Sequence, residues 1–391
     1  MRISGAVVLL FCAHLVRAVP GKFTSFSLHP GLNVTASIPY DSILQNYVQQ
    51  KIDGNAKCSK LRHRVEWRAL TAKQRQDWIN AHWCLTQNPS LLAGAQTNLT
   101  GFRTSLHDDF SLIHLRLFHT IHYVAAFLPW HRYFIMAREA ALRHCHYEGP
   151  LPYWDWASDA DTGNILASPI LSDDLGVGGN GTAPNGTVIT GPFSHLPSSY
   201  INLPNANESD VTFQPHYLTR TFGTAINRNA TYPMFEESYN SSAMRRVMTD
   251  SGDDYTLFEP LFEGIRGRQD IVGTGPHAGV HRSIGGEMNN AHSPNDPVFF
   301  LHHANVDRLW HYWQNGDTTG RGIGLSRSNW MDLNSKFWAY AGNTKQRHIQ
   351  PDGGPNATLF DVQTVEGLFL PNVETYKIMD IERPPLCYTY V

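Results

Sequence analysis

Histidine is abundant in this chain, and its histidines fall largely into two dense groups. There are 20 histidines among 391 residues. Burying many polar rings without partners is costly, so core packing explains such groups poorly. Imidazole is the commonest side-chain ligand for metals, and each group can supply three rings, which predicts a metal site in each. The first group contains His107, His114, His119, His122 and His131, and the second contains His277, His281, His292, His302 and His303.

The second group has a spacing that suits metal binding. In "HAGVH", His277 and His281 are four residues apart and lie on one face of a helix. A zinc protease would need glutamate beside the first histidine, as in HExxH, and this motif lacks it. Ligation by imidazole alone suits copper among other metals. His302 and His303 point about 100° apart on a helix, so only one of them should face the metal.

Two other motifs suggest different chemistry and are rejected. "RHCHYEG" has the His-Cys-His order of multicopper oxidases, but the further histidine and the axial residue of that pattern are absent. We therefore interpret Cys145 as a disulfide partner. "GVGGNGTAPNG" is glycine-rich but lacks the Lys-Ser/Thr of a phosphate-binding loop. We interpret it as part of a long, glycosylated surface excursion.

Apolar periodicity predicts the helices that position these histidines. It indicates helix over Cys58–Leu85, over about Asp108–Tyr123, and again after Pro129, which should lie in the first turn of a new helix. Further helical patterns cover 241–250, 255–267 and 297–313, whereas 157–232 has the composition of loops. We predict one mainly α-helical domain over residues 19–391, with long loops and little strand.

The N-terminus and the cysteines indicate export. Arg2, the apolar "GAVVLLFCAHLV" and Ala18 resemble a cleavable signal peptide over residues 1–18, with an uncleaved anchor as the alternative. Four cysteines remain beyond it, an even number that favours two disulfides. Three pairings are open, and we favour Cys58–Cys387 with Cys84–Cys145. There are eight N-glycosylation sequons, at Asn33, Asn98, Asn180, Asn185, Asn207, Asn229, Asn240 and Asn356.

Charge and hydropathy narrow the range of partners. The net charge is −3 with no basic run, which disfavours nucleic acid and anionic membranes as partners. No segment after the signal is long and apolar enough to span a bilayer. The partner we expect is therefore a small molecule, bound by a monomer or weak dimer.

Four motifs together resemble one family. "HYVAAFLPWHRYF", "PYWDW", "HAGVH" and "NDPVFFLHHANVDRLW" are similar to the tyrosinase and catechol oxidase family of type-3 binuclear copper proteins. The likeness extends over most of the chain and is closest to short secreted fungal members, including their "EWRAL" segment. It implies a four-helix bundle in which each copper is held between an antiparallel helix pair.

The resemblance implies a role for individual residues. The first copper would be bound by His114, His122 and His131, and the second by His277, His281 and His303. The pocket would include Ala278, Arg282 and Asn290, with Asp307, His302 and Arg132 behind the ligands and Arg308 paired with Asp307. The implied reaction uses O₂ to oxidise o-diphenols to o-quinones, with weaker hydroxylation of monophenols. A full tyrosinase and a hemocyanin-like O₂ carrier are the alternatives.

The sequence departs from the family pattern at two positions. Many fungal relatives link the second histidine of the first site to a cysteine two residues earlier, where this chain has Thr120. Relatives that hydroxylate monophenols well often have asparagine after the first histidine of the second site, paired with an upstream glutamate. Here the residue is Ala278, and the upstream candidates are Gln269 and Asp270. We expect diphenol oxidation to dominate.

Overall fold

The computed structural model describes most of the chain beyond residue 57. The described residues are 46, 49, 58–92, 103–182, 184–223, 235–265, 274–317, 319–320, 322, 332, 334–345 and 353–391. Residues 44–391 form one compact unit. The proposed signal peptide, the sequons at Asn33, Asn98 and Asn229, and the candidates Gln269 and Asp270 lie outside the described residues.

The described part of the chain is mainly α-helical, as predicted. Two of the long helices begin with capping boxes, formed by Thr71 with Gln74 and by Ser105 with Asp108, which satisfy backbone N–H groups of the first turn. The helices are α1 (Ala72–Gln87), α2 (Leu106–Ile121), α3 (Phe127–His144), α4 (Trp156–Ala160), α5 (Glu236–Tyr239), α6 (Ser241–Asp250), α7 (Tyr255–Glu263), α8 (Pro276–Ile284) and α9 (Val298–Gln314).

The helix break at Pro129 is confirmed. α2 ends at Ile121, with His122 as its C-terminal cap, and α3 starts at Phe127 with Pro129 in its first turn. A proline is tolerated there because the first-turn N–H groups have no partner within the helix. Two histidines nine residues apart, His122 and His131, are thereby turned toward each other instead of facing opposite ways.

The strands in the described part of the chain are short, with two to six residues each. β1 (Arg62–Glu66) is the middle strand of a parallel sheet, with β2 (Leu151–Tyr153) on one side and β7 (Tyr388–Tyr390) on the other. The prediction of helix over all of Cys58–Leu85 is therefore wrong for residues 62–66. Hydrogen bonds to two distant strands outweigh the local periodicity there.

Within residues 157–232, which were predicted to be loop, the described residues contain one hairpin: β3 (Pro197–Ile201) pairs antiparallel with β4 (Thr212–Tyr217). A second antiparallel pair lies near the C-terminus, between β5 (Val362–Gln363) and β6 (Val373–Glu374). The excursion at 176–186 is not wholly at the surface, because the buried Arg220 donates to the carbonyls of Val177 and Gly178.

Both preferred disulfides are present. Cys58 is bonded to Cys387, and Cys84 is bonded to Cys145. The first spans 329 residues and joins the segment before β1 to the segment before β7. No helix in the described ranges is long and apolar enough to cross a membrane.

Candidate metal centre

Three buried histidines converge between α2 and α3. His114, His122 and His131 each offer a ring nitrogen, and these nitrogens all lie within 4.8 Å of one another. In each ring Nδ1 faces a backbone carbonyl: Ala291 at 2.6 Å, Phe118 at 3.3 Å and Phe127 at 2.8 Å respectively. The Nδ1 proton is therefore held by the backbone, which leaves the Nε2 lone pair as the metal-binding atom.

The turn that carries His122 has an unusual backbone. Tyr123 has φ +57°, a left-handed conformation that is uncommon for a large side chain. Its N–H donates to Oε2 of Glu263 at 2.7 Å. Burial and the neighbouring Glu259 raise the pKa of Glu263 well above its ordinary value. No sequence pattern indicates this buried carboxyl group, which fixes the turn after His122 from a different helix.

The second cluster contains four imidazoles where the sequence predicted three ligands. His277 and His281 on α8 and His302 and His303 on α9 can each contribute one ring nitrogen within 4.8 Å of the others. Nδ1 of His277 faces the Glu263 carbonyl at 3.1 Å, and Nδ1 of His281 faces the Met288 carbonyl at 2.5 Å. These two rings therefore present Nε2, as in the first cluster.

The two neighbouring histidines of α9 face different surroundings. Nε2 of His303 lies 3.4 Å from Nε2 of His281, and the His303 ring stacks on His131 of the first cluster. His302 instead stacks on His277 at 5.2 Å and approaches Trp156. Neither ring nitrogen of His302 has a hydrogen-bond partner among the described residues, and the same holds for Nδ1 of His303. Of these two neighbours, His303 is the one whose ring stacks on a ring of the first cluster.

Burial keeps these rings neutral. It lowers the pKa of His114 to about 3 and that of His281 to about 4, and it also lowers the pKa of His122, His131 and His303. A neutral imidazole is the form that binds a metal. Nε2 of His277 is buried with no protein partner in the described structure, which is costly unless a metal occupies the space before it. The imidazole donors, with no carboxylate among them, fit copper.

Comparison with known proteins identifies the family. The model of the common central domain of tyrosinase matches residues 104–316, more than half of the chain. The chain belongs to the tyrosinase family. It is 33% identical over 343 residues to the tyrosinase-like protein phomQ1' of Diaporthe leptostromiformis, covering 85% of this chain and 80% of that protein. It is 30% identical over 358 residues to the N-acetyl-6-hydroxytryptophan oxidase ivoB of Emericella nidulans, covering 84% and 91% respectively.

A solved structure agrees with this assignment. A mutant polyphenol oxidase of Thermothelomyces thermophila superposes with a TM-score of 0.68 at 26% identity, covering 90% of this chain and 94% of that one. Polyphenol oxidases and tyrosinases are copper oxidoreductases, so this chain is a copper-dependent oxidoreductase of the tyrosinase family whose fold implies a binuclear copper site.

A buried carboxylate lies one helical turn beyond the second cluster of this tyrosinase-family chain. Asp307 lies four residues after His303 on α9 and is 2% exposed. It accepts hydrogen bonds from Arg64 Nη1 at 3.0 Å, from Arg132 Nε and from the hydroxyls of Tyr388 and Tyr390. Burial alone would raise the pKa of Asp307, but the two arginines hold it below its ordinary value.

The charge pairing predicted around Asp307 is correct for one arginine only. Arg132 binds Asp307, whereas Arg308 turns to Asn305 and Tyr312 and lies 3.9 Å from Asp155. Residues one position apart on a helix point in different directions, so Arg308 cannot share the face of Asp307. Arg64, the unpredicted partner, comes from β1.

The predicted pocket residues have different environments. Ala278 is half-buried beside Gly264, and Arg282 donates to Thr274 Oγ1 at 2.9 Å. Asn290 is exposed, and its amide donates to the Gly286 carbonyl at 2.7 Å. Thr120 is exposed and donates to the Leu117 carbonyl, so the position that carries cysteine in many relatives has only a hydroxyl group.

Four of the predicted sequons are exposed. Asn240 differs, because it is half-buried and its Oδ1 caps α6 by accepting from the Ala243 N–H. The exposed sequons are at Asn180, Asn185, Asn207 and Asn356.

Proposed function

We propose that this protein is a secreted type-3 copper oxidase that uses O₂ to convert o-diphenols to o-quinones, with weaker hydroxylation of monophenols. Two coppers are bound per chain. His114, His122 and His131 bind the first, and His277, His281 and His303 bind the second. The observation that carries this proposal is the convergence of neutral, buried imidazoles, most of them with Nδ1 held by a carbonyl.

The protein contributes geometry and a dry surrounding. When bound, a copper pair supplies the redox chemistry, taking electrons from the phenol and passing them to O₂. The ring centroid of Phe127 lies 4.7 Å from that of His277 and 4.8 Å from that of His131. The ring centroid of Phe299 lies 4.1 Å from that of His303. Both phenylalanines are fully buried, so they exclude water from the space between the ligands. A diphenol would therefore lose its electrons and protons in a site of low dielectric constant.

The preference for diphenols follows from Ala278. A simple phenol has a pKa near 10, so hydroxylating it near neutral pH requires a base within hydrogen-bond reach. The methyl group of Ala278 cannot hold a water that would act as this base. A catechol is oxidised more easily and needs less help. One relative is named for the oxidation of N-acetyl-6-hydroxytryptophan, whose ring carries a single hydroxyl group; it supports a phenolic substrate for this chain but not the preference for diphenols.

Secretion is part of the proposal. The signal-like residues 1–18, the two disulfides and the exposed sequons support an oxidising, extracellular location. Mass spectrometry of the protein released by a eukaryotic host should find an N-terminus at Val19 and a glycan on at least one exposed sequon. An intact N-terminus on membrane-bound protein would contradict it.

A panel of paired substrates tests the activity. Copper-loaded protein is given catechol, 4-methylcatechol and dopamine beside phenol, p-cresol and tyramine, with an ortho-methoxyphenol as a further substrate. O₂ consumption and quinone absorbance are measured, with chelated protein as the blank. We expect every catechol to be oxidised far faster than its matched monophenol. Equal rates would indicate a full tyrosinase, and reversible O₂ binding without turnover would indicate a carrier.

A further inference from the structure

One short segment contacts both histidine clusters. We call residues 286–295 the strap. It contains two 3-10 turns, Gly286–Asn289 and Ser293–Asn295, joined by residues 290–292. The Met288 carbonyl accepts from His281 Nδ1 at 2.5 Å, and the Ala291 carbonyl accepts from His114 Nδ1 at 2.6 Å. One ring of each cluster is therefore oriented by the same segment, through carbonyls three residues apart.

The strap is anchored by a buried carboxylate. Glu287 is 1% exposed, and three hydrogen-bond donors and one further ring nitrogen surround its two oxygens. Oε1 accepts from Thr219 Oγ1 at 2.8 Å and lies 3.2 Å from His216 Nε2. Oε2 accepts from Asn295 Nδ2 at 3.1 Å and lies 3.3 Å from His292 Nε2. Two of these four groups come from the hairpin region and two from the strap itself.

Hydrogen-bond geometry assigns the protons in this network. Nδ1 of His216 faces the Gln214 carbonyl at 2.8 Å, and Nε2 faces the carboxylate, so both ring nitrogens must donate and the ring is an imidazolium. Nδ1 of His292 accepts from the Asn202 N–H at 2.9 Å, so its Nε2 carries the proton of a neutral ring. Glu287 and His216 thus form an ion pair with a neutral histidine beside it.

Charge and burial agree with this assignment. Burial alone would raise the pKa of Glu287, but the hydrogen bond from His216 and the positive charge of its ring lower it. The pKa of His216 is raised: burial opposes protonation, and Glu287 outweighs it. A buried carboxylate with three donors is a rigid anchor, because losing any donor leaves a desolvated charge less well satisfied.

A second connection joins the strap to α2. Asn295 Nδ2 also donates to the Tyr200 carbonyl, and its Oδ1 accepts from Ser111 Oγ at 2.5 Å. Ser111 lies three residues before His114, on the same side of α2. The carboxylate therefore fixes the strap relative to the helix that carries His114 as well as to the hairpin.

We propose that Glu287 is a positioning residue for both metal sites at once, acting through the two strap carbonyls. This inference rests on the proposed ligand set, in which His114 belongs to one copper and His281 to the other. Neutralising Glu287 should loosen one ligand of each copper together. The positions of the His281 and His114 rings would then vary, while His122, His131 and His277 keep their bonds to other carbonyls.

The test compares two buried glutamates in the copper-loaded full-length protein. E287Q keeps the size of the side chain but removes the charge. E139Q is the matched control, since Glu139 is 3% exposed and binds Arg62, Arg64 and Arg143, none of which contacts the strap. Transfer of copper to a strong chelator is followed with time, together with the electron paramagnetic resonance signal of the oxidised sites. Two coupled Cu(II) ions are silent in this measurement, and uncoupled ions are not.

We expect E287Q to release both coppers roughly 10–100-fold faster than wild type, the range typical when a residue that supports metal ligands is lost. An uncoupled Cu(II) signal should appear as well. E139Q should lower the melting temperature without either change. Release from E287Q at the wild-type rate, or from one site only, would overturn the proposal.

Two further measurements keep the outcomes distinct. If E287Q does not fold, H216F takes its place, because it removes one donor at the outer edge of the network. H216F should release both coppers faster than wild type, by a smaller factor than expected for E287Q. Release from H216F at the wild-type rate would then overturn the proposal. Hydrogen exchange of the copper-free protein should be faster over residues 286–295 in E287Q than in E139Q. If the wild type binds fewer than two coppers, the proposed function fails; if it binds two and E287Q behaves like it, only this inference fails.

Discussion

The imidazole rings of His131 and His303 stack on each other, with 4.3 Å between their centroids and 12° between their planes. One ring comes from α3 and the other from α9. The two clusters are therefore in direct contact through these rings. His302, one residue earlier, makes no such contact with the first cluster and packs against His277 and Trp156. The two adjacent histidines are therefore expected to differ in function.

Replacing His303 by alanine should remove the second copper, while replacing His302 should leave much of it. The reason is that only His303 directs Nε2 toward His281 and the first cluster. Copper per chain, measured by elemental analysis, should fall from two to about one in H303A. Retention of both coppers in H303A and loss in H302A would show that the other histidine is the ligand.

Replacing Ala278 by asparagine should narrow the margin between diphenol and monophenol turnover. The added amide can hold a water near the substrate hydroxyl, and one hydrogen bond is worth about 1 kcal/mol. That corresponds to roughly a fivefold rise in the ratio of tyramine to dopamine kcat/KM. A278V serves as the control, since it adds volume without a polar atom. An equal rise in A278V would assign the effect to packing.

Replacing Asp307 by asparagine should destabilise the fold by about 3–5 kcal/mol, because it leaves Arg64 and Arg132 buried without their shared counter-charge. Urea unfolding of the copper-free protein measures this loss. D77N is the control: Asp77 pairs with Lys73 on the exposed face of α1, and its loss should cost less than about 1 kcal/mol. A loss in D307N no larger than in D77N would contradict the assigned role.

His107 should make the copper-free protein less stable in mild acid. Burial and then Arg138 lower the pKa of His107 to about 3, whereas an unfolded histidine titrates near 6.5. Between those values the unfolded chain binds a proton that the folded chain does not, so stability falls as the pH falls below 6.5. From pH 7 to pH 5 this effect lowers the free energy of unfolding by about 2 kcal/mol. H107Q should lose that part of the pH dependence, and parallel unfolding profiles for wild type and H107Q would argue against it.

Much of the site was predictable because histidine spacing is a local property. The four-residue spacing of His277 and His281 and the proline between His122 and His131 are readable without knowledge of the fold. The same spacing could not show that His302 joins the second cluster, since the burial of its ring depends on packing against Trp156.

Other features depend on partners far along the chain. β1 was predicted to be helical because its pairing with β2 and β7 has no local pattern. The carbonyls of Met288 and Ala291 hold two histidines, and any residue type can supply a carbonyl. Glu287, His216 and Glu263 were missed for a similar reason: each is an ordinary polar residue until the fold brings its partner within hydrogen-bond distance.

The parallel pairing of β1 with β7 also affects how the protein is made on the ribosome. Arg64 bonds to Tyr390, which is synthesised 326 residues later, and Asp307 bonds to Tyr388, 81 residues later. At about 5–20 residues per second, roughly 15 to 65 seconds separate the synthesis of Arg64 from that of Tyr390. During that time α9, with its paired histidines, is synthesised, and Asp307 can bond to Arg64 and Arg132 but not yet to Tyr388 and Tyr390. We therefore expect the packing around α9, which carries His303, to be complete only after β7 has been synthesised, whereas the three ligands of the first site, within residues 114–131, are available far earlier.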